Sequence, residues 1–313
     1  EYARMLQNEC AERAGAIAME IGAKNPVRIG CQEVAQFTRL RPTGDPQAPL
    51  QPVEQFDYLD LLLDALKTGG LEYEVAAVGF NADVTLPMLQ GFDGSGIPLL
   101  DYVRYLDRDV ILVKKGIVTE YAKTFAFSTN FSVAFSETKE VVFKRGFVAV
   151  DATVRGKTYR FVNVHVENEG LTALDGSVVQ QAQVAELLQA LAAERLPVLL
   201  VGDFNLPPGD PDYTAIVSAG FADLWTLRTN RRPQNGSTCC QDEDLLNEAS
   251  ALTERIDYIF ARRHWRTGAG DFQYPVIVQL TGNDADEANT ESGLWPSDHA
   301  GVIAAIRLRH GRH

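Results

Sequence analysis

Every apolar run in this chain is short, and that shortness constrains the fold more than any other feature. The longest candidate, Pro197-Val198-Leu199-Leu200-Val201, suits a buried strand and falls far below the roughly 20 residues that cross a bilayer. Strand-like runs recur at Val27–Cys31, Tyr73–Val78, Val110–Val113, Phe143–Val154, Tyr159–Val166, Ile256–Ala261, Val276–Leu280 and Val302–Leu308. Arg155-Gly156-Lys157 between two of them signals a hairpin. Helical patterns interrupt the series. An amphipathic helix over Glu1–Lys24 carries Met5, Leu6, Ile17 and Ile21 and stops at Asn25-Pro26. A second covers Phe56–Leu66 before Gly69-Gly70, a third lies within Leu171–Ala193, and a short one covers Asp212–Ala219. Arg41–Pro52 reads as a loop. Many strands with few helices predict a layered α/β or α+β domain. With 313 residues, 45% of them hydrophobic, the chain can bury a sizeable core.

Five of these runs adjoin polar residues of complementary chemistry. They are Gln32-Glu33, Asn163-Val164-His165, Gly202-Asp203-Phe204-Asn205, Arg255-Ile256-Asp257-Tyr258 and Ser297-Asp298-His299. A strand end holds a side chain rigidly at one place. The two-residue period puts Asn163 with His165, and Asp203 with Asn205, on shared faces. The inventory of carboxylates, two histidines and an amide fits metal-assisted phosphoryl hydrolysis. Hard oxygen ligands suit Mg2+ or Mn2+. The metal polarises the phosphoryl oxygen, a carboxylate or histidine activates water, and amide and imidazole donors meet the growing charge.

Each motif also has a plain structural explanation. Glu33 can be a charge at a helix start, His165 a satisfied strand-end histidine, and Asp203 and Asn205 turn formers. Asp257 can pair with Arg255 or Arg262, and Asp298 can cap a turn. What weakens these explanations is that five strand ends supply matching chemistry together.

The net charge of −13, with only short basic pairs at Arg231-Arg232 and Arg262-Arg263, argues against tight polynucleotide binding, which needs a basic stripe. Four cysteines are too few for a disulfide scaffold. Cys31 reads as a buried thiol with Cys10 beside it. The adjacent Cys239 and Cys240 suit either a disulfide or two thiols, so the compartment stays open.

The five motifs in this order resemble the endonuclease/exonuclease/phosphatase superfamily, the group of deoxyribonuclease I and the neutral sphingomyelinases. Arg145-Gly146-Phe147 and Gln180-Gln181-Ala182-Gln183 add to the resemblance. It implies one domain over 1–313, a four-layered α/β sandwich of two packed mixed sheets flanked by helices. It implies Glu33 as principal metal ligand, with Asp298 helping the metal. It implies His165 at the scissile phosphate, Asp203 on the attacking water, Asn205 on a phosphate oxygen, and Asp257 fixing the tautomer of His299. The general base falls to Asp203 or to the His299–Asp257 pair. Relatives open with a strand carrying a metal-site asparagine, expected here upstream of residue 1, as is any targeting segment of a secreted form. Arg28 stands where many relatives have an acid.

Fold and core chemistry do not choose the substrate. That choice falls to Asn81–Leu106, Ser128–Glu140, Thr229–Ala251 and Asn283–Trp295, read as loops. Phe92, Tyr102, Tyr105 and Trp295 are expected to anchor them. The acidic balance favours a small or lipid-borne phosphodiester. A nuclease, a phosphomonoesterase in the same cleft, and a catalytically dead binding module are the alternatives.

Overall fold

The structure is a computed structural model that describes residues 10–45, 47–136, 139–154, 156–229, 235–262, 272–284 and 290–308. Met5, Leu6, Arg155, Arg231-Arg232 and Arg263 lie outside the described residues.

Helix α1 (Cys10–Lys24) buries Ala14, Ala16, Ala18 and Ile21. It ends where Asn25 turns left-handed, φ 53°, ahead of Pro26. Helix α2 (Tyr58–Thr68) starts at Asp57, whose carboxylate accepts the Leu59 and Asp60 amides at 3.0 and 3.4 Å. Phe56 belongs to the preceding strand, so this helix begins later than its sequence pattern suggests. Helix α3 (Val179–Leu191) lies inside the stretch expected to hold it. Ahead of it Asp175 forms a tight turn, accepting the Ser177 amide and hydroxyl at 3.0 and 2.6 Å. Helix α4 spans Pro211–Ser218.

The strands are β1 (Arg28–Cys31), β2 (Gln36–Arg41), β3 (Gln51–Asp57), β4 (Tyr73–Phe92), β5 (Pro98–Lys114), β6 (Val118–Ala126), β7 (Phe131–Ser136), β8 (Lys139–Phe143), β9 (Gly146–Val154), β10 (Lys157–His165), β11 (Val198–Asp203), β12 (Ala222–Asp223), β13 (Asp257–Arg262), β14 (Phe272–Thr281) and β15 (Gly301–Leu308). One sheet runs β1-β5-β2-β3, with β4 also on β5; the other runs β12-β13-β11-β10-β9-β6. The pairs β14–β15 and β7–β8 stand apart.

Alternation along the strands builds the layers. Val110 and Leu112 pack with Ile21, Leu59, Leu62 and Leu66 of α1 and α2. Their neighbours Ile111 and Val113 face the second sheet through Val148, Val150, Phe161 and Val201. That sheet's other face, Val162, Val164, Val198 and Leu200, meets Val184, Leu187 and Leu191 of α3 and Ile216 of α4. The order is helix, sheet, sheet, helix: the expected α/β sandwich.

Three expectations need correction. Asn81–Leu106 is not a loop but most of the long β4–β5 hairpin. Ser128–Glu140 holds β7 and the start of β8. Phe143–Val154 is broken at Lys144-Arg145, between β8 and β9.

Among the described residues β1 pairs only with β5, and β15 only with β14. Residues of both line one groove of about 620 Å3, floored by Tyr159, Phe161, Leu199, Val201 and Ile259. Arg28 sits there with its guanidinium 5.8 and 5.9 Å from the Tyr159 and Phe161 rings.

Candidate active site

The site grows from one rung of the second sheet. His165 pairs in register with Gly146 on one side and Asp203 on the other, and Asp203 with Asp257. Three candidate side chains therefore stand on adjacent strands. Gly202 makes this spacing possible: its φ is 147°, and a Cβ there would meet the Val164 carbonyl oxygen at 1.9 Å. Asn163, wholly buried one face-step behind His165, ties the layers together. Its amide donates to the Cys31 and Val110 carbonyls at 2.9 and 3.2 Å, and its oxygen accepts from Gln32.

His165 is 3% exposed. Arg145 Nη1 lies 2.8 Å from its Nδ1. A guanidinium only donates, so Nδ1 accepts and a neutral ring carries its proton on Nε2. Burial and then the Arg145 charge hold the ring well below the usual histidine range. Nε2 lies 3.6 Å from Asp203 Oδ2. Arg145 also pairs with Asp107 at 3.2 Å, Glu167 at 3.6 Å and Glu33 at 3.7 Å. Burial pushes Asp107 up, and burial with the Asp107 charge pushes the fully buried Asp109 well up. A cation thus sits behind the cleft, held by buried acids.

On the opposite wall His299 Nδ1 meets Asp257 Oδ2 at 2.9 Å. Burial opposes charge on this ring. The Asp257 bond and the charges of Asp257, Asp203 and Asp298 outweigh it and raise His299 to about 10. Asp203 is raised well above the carboxylate range by burial and by Asp257. Glu33 follows β1 in a left-handed conformation, φ 53°, with its side chain 57% exposed. Such a backbone at a non-glycine residue is strained and clusters at functional sites.

Glu33, His165, Asp203, Asp257, Asp298 and His299 line a single cleft of about 290 Å3. Asn205 is not on its wall. It too is left-handed, φ 51°; its amide N–H donates to Asp203 Oδ1 at 2.8 Å and its side chain to the Val166 carbonyl at 2.9 Å. Asn205 thus braces Asp203 through its main chain and spends one of its two side-chain amide hydrogens on Val166. Gln180 donates to the Asn205 and Glu167 carbonyls at 2.8 and 3.0 Å. Gln183 accepts the Glu167 amide at 2.8 Å and so holds the same segment.

The plain alternatives for Asp257 fail, because Arg255 pairs with Asp223 at 2.8 Å and Arg262 donates to the Leu191 carbonyl at 2.6 Å, so Asp257 is left to His299. Trp295 is a wholly buried anchor, its indole donating to the Asn247 carbonyl at 2.8 Å. Tyr105 packs on Phe37 at 5.2 Å, whereas Phe92 is 62% exposed. Arg145, known in sequence only as a motif member, and the acids Asp107 and Asp109 behind it escaped the site assignment. The spacing Asp107-Arg108-Asp109 directly before the buried run Val110–Val113 was their one signal.

The donor set fits a hard divalent cation. Ligand atoms of Asp203, Asp257 and His299 all lie within 4.8 Å of one another. Glu33 and Asp298 add carboxylates to the same cleft. The raised Asp203 is an acid whose negative charge the protein alone leaves poorly compensated, as befits a place where a cation belongs.

Comparison with known proteins bears on the lineage and the fold. The model of the Endonuclease/Exonuclease/phosphatase family matches residues 110–299, more than half the chain. A search of curated proteins finds no significant match. An endonuclease/exonuclease/phosphatase family protein from Leptotrichia buccalis is 18% identical, with 95% of this chain and 93% of that one covered and a TM-score of 0.59. The mannosyl-6-phosphatase of Bacteroides thetaiotaomicron is 15% identical, with 98% and 95% covered and a TM-score of 0.55. Truncated Caenorhabditis elegans TDP2 is 16% identical, with 95% and 90% covered and a TM-score of 0.53. At such identities the structures speak for the fold, and the family model for the lineage: the chain belongs to the endonuclease/exonuclease/phosphatase family.

Proposed function

We propose that this protein is a divalent-metal-dependent phosphoesterase that hydrolyses a small or lipid-borne phosphodiester. The observation that carries the reading is the rung His165–Asp203–Asp257, joined by His299, Glu33 and Asp298 around one cleft. Mg2+ or Mn2+, held by Glu33 and Asp298, would polarise the phosphoryl group. Asp203, braced by the Asn205 amide, aligns the attacking water and takes its proton. His165 offers its Nε2–H to a non-bridging oxygen, with Arg145 fixing that tautomer from behind. His299, held by Asp257 through Nδ1, turns Nε2 toward the reacting centre and supports the growing charge.

The cleft also favours a compact ester. Beyond the acids its wall is apolar, built of Ile17, Phe37, Phe56, Tyr58 and Leu62, with Arg13 as a charged neighbour. Its small volume and the net charge of −13 disfavour a long polynucleotide. Bis(4-nitrophenyl) phosphate with Mg2+ or Mn2+ tests the reading. Wild type should turn over, and Glu33→Gln and Asp203→Asn should each lose about a hundredfold or more with unchanged urea midpoints. Absence of turnover on any phosphoester with any divalent metal would refute it. The likeness to a mannosyl-6-phosphatase supports a second reading, hydrolysis of a phosphomonoester. A higher kcat/KM on 4-nitrophenyl phosphate than on the diester would select it.

A further inference from the structure

The role proposed for His299 leaves unused what lies against its outer nitrogen. Cys240 Sγ is 3.7 Å from His299 Nε2, and Cys239 adjoins it in the sequence. Ligand atoms of Cys239, Cys240 and His299 all lie within 4.8 Å of one another. The structure joins the two sulfurs as a disulfide. We propose that, once this bond is reduced, Cys239, Cys240 and His299 form a site for one soft divalent cation of the zinc class.

Three observations support the site. The first is distance. Zinc bonds of about 2.3 Å to sulfur and about 2.0 Å to nitrogen, at a tetrahedral angle, separate the two ligand atoms by about 3.5 Å. With the sulfurs still joined the separation is 3.7 Å, so Cys240 already stands beside the ring and reduction has only to let the two sulfurs part. The second is the ring's orientation. Asp257 occupies Nδ1 at 2.9 Å, which is the carboxylate–histidine–metal arrangement that directs Nε2 at a metal. The third is rigidity and access. Cys239 is bridged antiparallel to both Glu254 and His299. The next residue, Gln241, donates its amide to the Asp298 carbonyl at 2.8 Å, and Ala300 donates to Thr238 at 2.8 Å. Cys239 is buried while Cys240 is exposed, so a solvent ion can reach the sulfurs.

The chemistry balances. A trialkylphosphine with one water gives the phosphine oxide and supplies the two electrons and two protons that turn the disulfide into two thiols. Binding then displaces both thiol protons and the Nε2 proton of His299, which is charged at neutral pH. Soft sulfur ligands set this site apart from the oxygen set of Glu33, Asp203 and Asp298. The bound cation would take the Nε2 lone pair of His299; that it thereby stops turnover rests on the proposed function, whereas the site itself does not.

Cobalt(II) serves as the probe. Protein reduced with a trialkylphosphine, with its thiols counted by alkylation and mass, is titrated with Co2+ in the absence of other metals. One equivalent should bring up a thiolate-to-cobalt charge-transfer band in the near ultraviolet. The oxidised protein and Cys240→Ser should lack it, His299→Gln should bind at least tenfold more weakly, and Asp203→Asn should keep it. No band from protein with both thiols free, an equal band from Cys240→Ser, or a pair that resists reduction would each overturn the site. Separately, Zn2+ should inhibit Mg2+-supported turnover of the reduced wild type and spare Cys240→Ser. A cobalt band without any phosphoester turnover would uphold the site and sink only the enzymatic reading.

Discussion

Arg145→Met removes the one cation behind the cleft and fills its space with a side chain of similar length. The guanidinium, its side chain 14% exposed, pairs with Asp107, 1% exposed, and Glu167, 5% exposed. Its contact with Glu33 adds little, because that side chain is open to solvent. Removing one partner of a buried ion pair costs about 3–5 kcal/mol, since the other is left uncompensated. About 4 kcal/mol is therefore expected at neutral pH. The loss should depend on pH with a definite sign. Asp107 and Asp109 are already raised by burial, and without Arg145 they rise further. A carboxyl whose folded pKa exceeds its unfolded value of about 3.9 binds more protons when folded. The deficit is then complete above the variant's folded pKa and shrinks as the pH falls toward the wild type's, by up to about 1.4 kcal/mol per pH unit for each group. Urea unfolding followed by tryptophan fluorescence, with chelator present, at about pH 7 and about pH 5, measures both quantities. A loss below about 1 kcal/mol, or one equal at the two pH values, would refute the reasoning.

Asp257→Asn should destabilise by about 1.5–3 kcal/mol in urea unfolding at neutral pH, because it strips the charged, largely buried His299 of its carboxylate. It should lower kcat about a hundredfold or more, because His299 loses the carboxylate that orients it; steady-state kinetics on the best diester checks this. Gly202→Ala puts a methyl against the Val164 carbonyl and should destabilise by about 3 kcal/mol, with turnover lost as His165 and Asp203 separate; denaturation and kinetics read the two effects. Leu187→Ala, a cavity between α3 and the second sheet, should cost about 2–5 kcal/mol while the remaining folded protein keeps its kcat.

How much of this was legible in sequence depends on how local each signal is. Val198–Val201 is an uninterrupted apolar run because its strand lies in mid-sheet between two core clusters. The polar residues closing it were therefore readable as a strand end. The β4–β5 hairpin was not, because its outer arms leave Leu86, Leu89, Phe92 and Leu99 exposed and so show no buried face to alternate. Its tip, where Asp93 accepts the Ser95 and Ile97 amides at 2.8 Å, has the composition of a loop. Strand β3 hid for the same reason, and β2 because the residues it buries or half-buries include the polar Thr38 and Arg39. Arg145 was visible as a motif but not as a tautomer-setting group, because its partners Glu33, Asp107 and the pair His165 and Glu167 come from three separate stretches of chain. Asn205 shows a limit of another kind. Its face was readable, but the hydrogen bond that turns its amide onto Val166 depends on the adjacent strand end.

The trough between β1 and β15 bears on what an extended segment would find here. Each rim is a row of backbone amides and carbonyls that the described strands do not use, and the bed between them is aromatic and aliphatic. A strand laid in the trough would satisfy both rims and cover the bed at once, whether it belongs to this protein's own chain or to another molecule. A lysine on the outward side of β15, for example at Ile303, would weaken that seat.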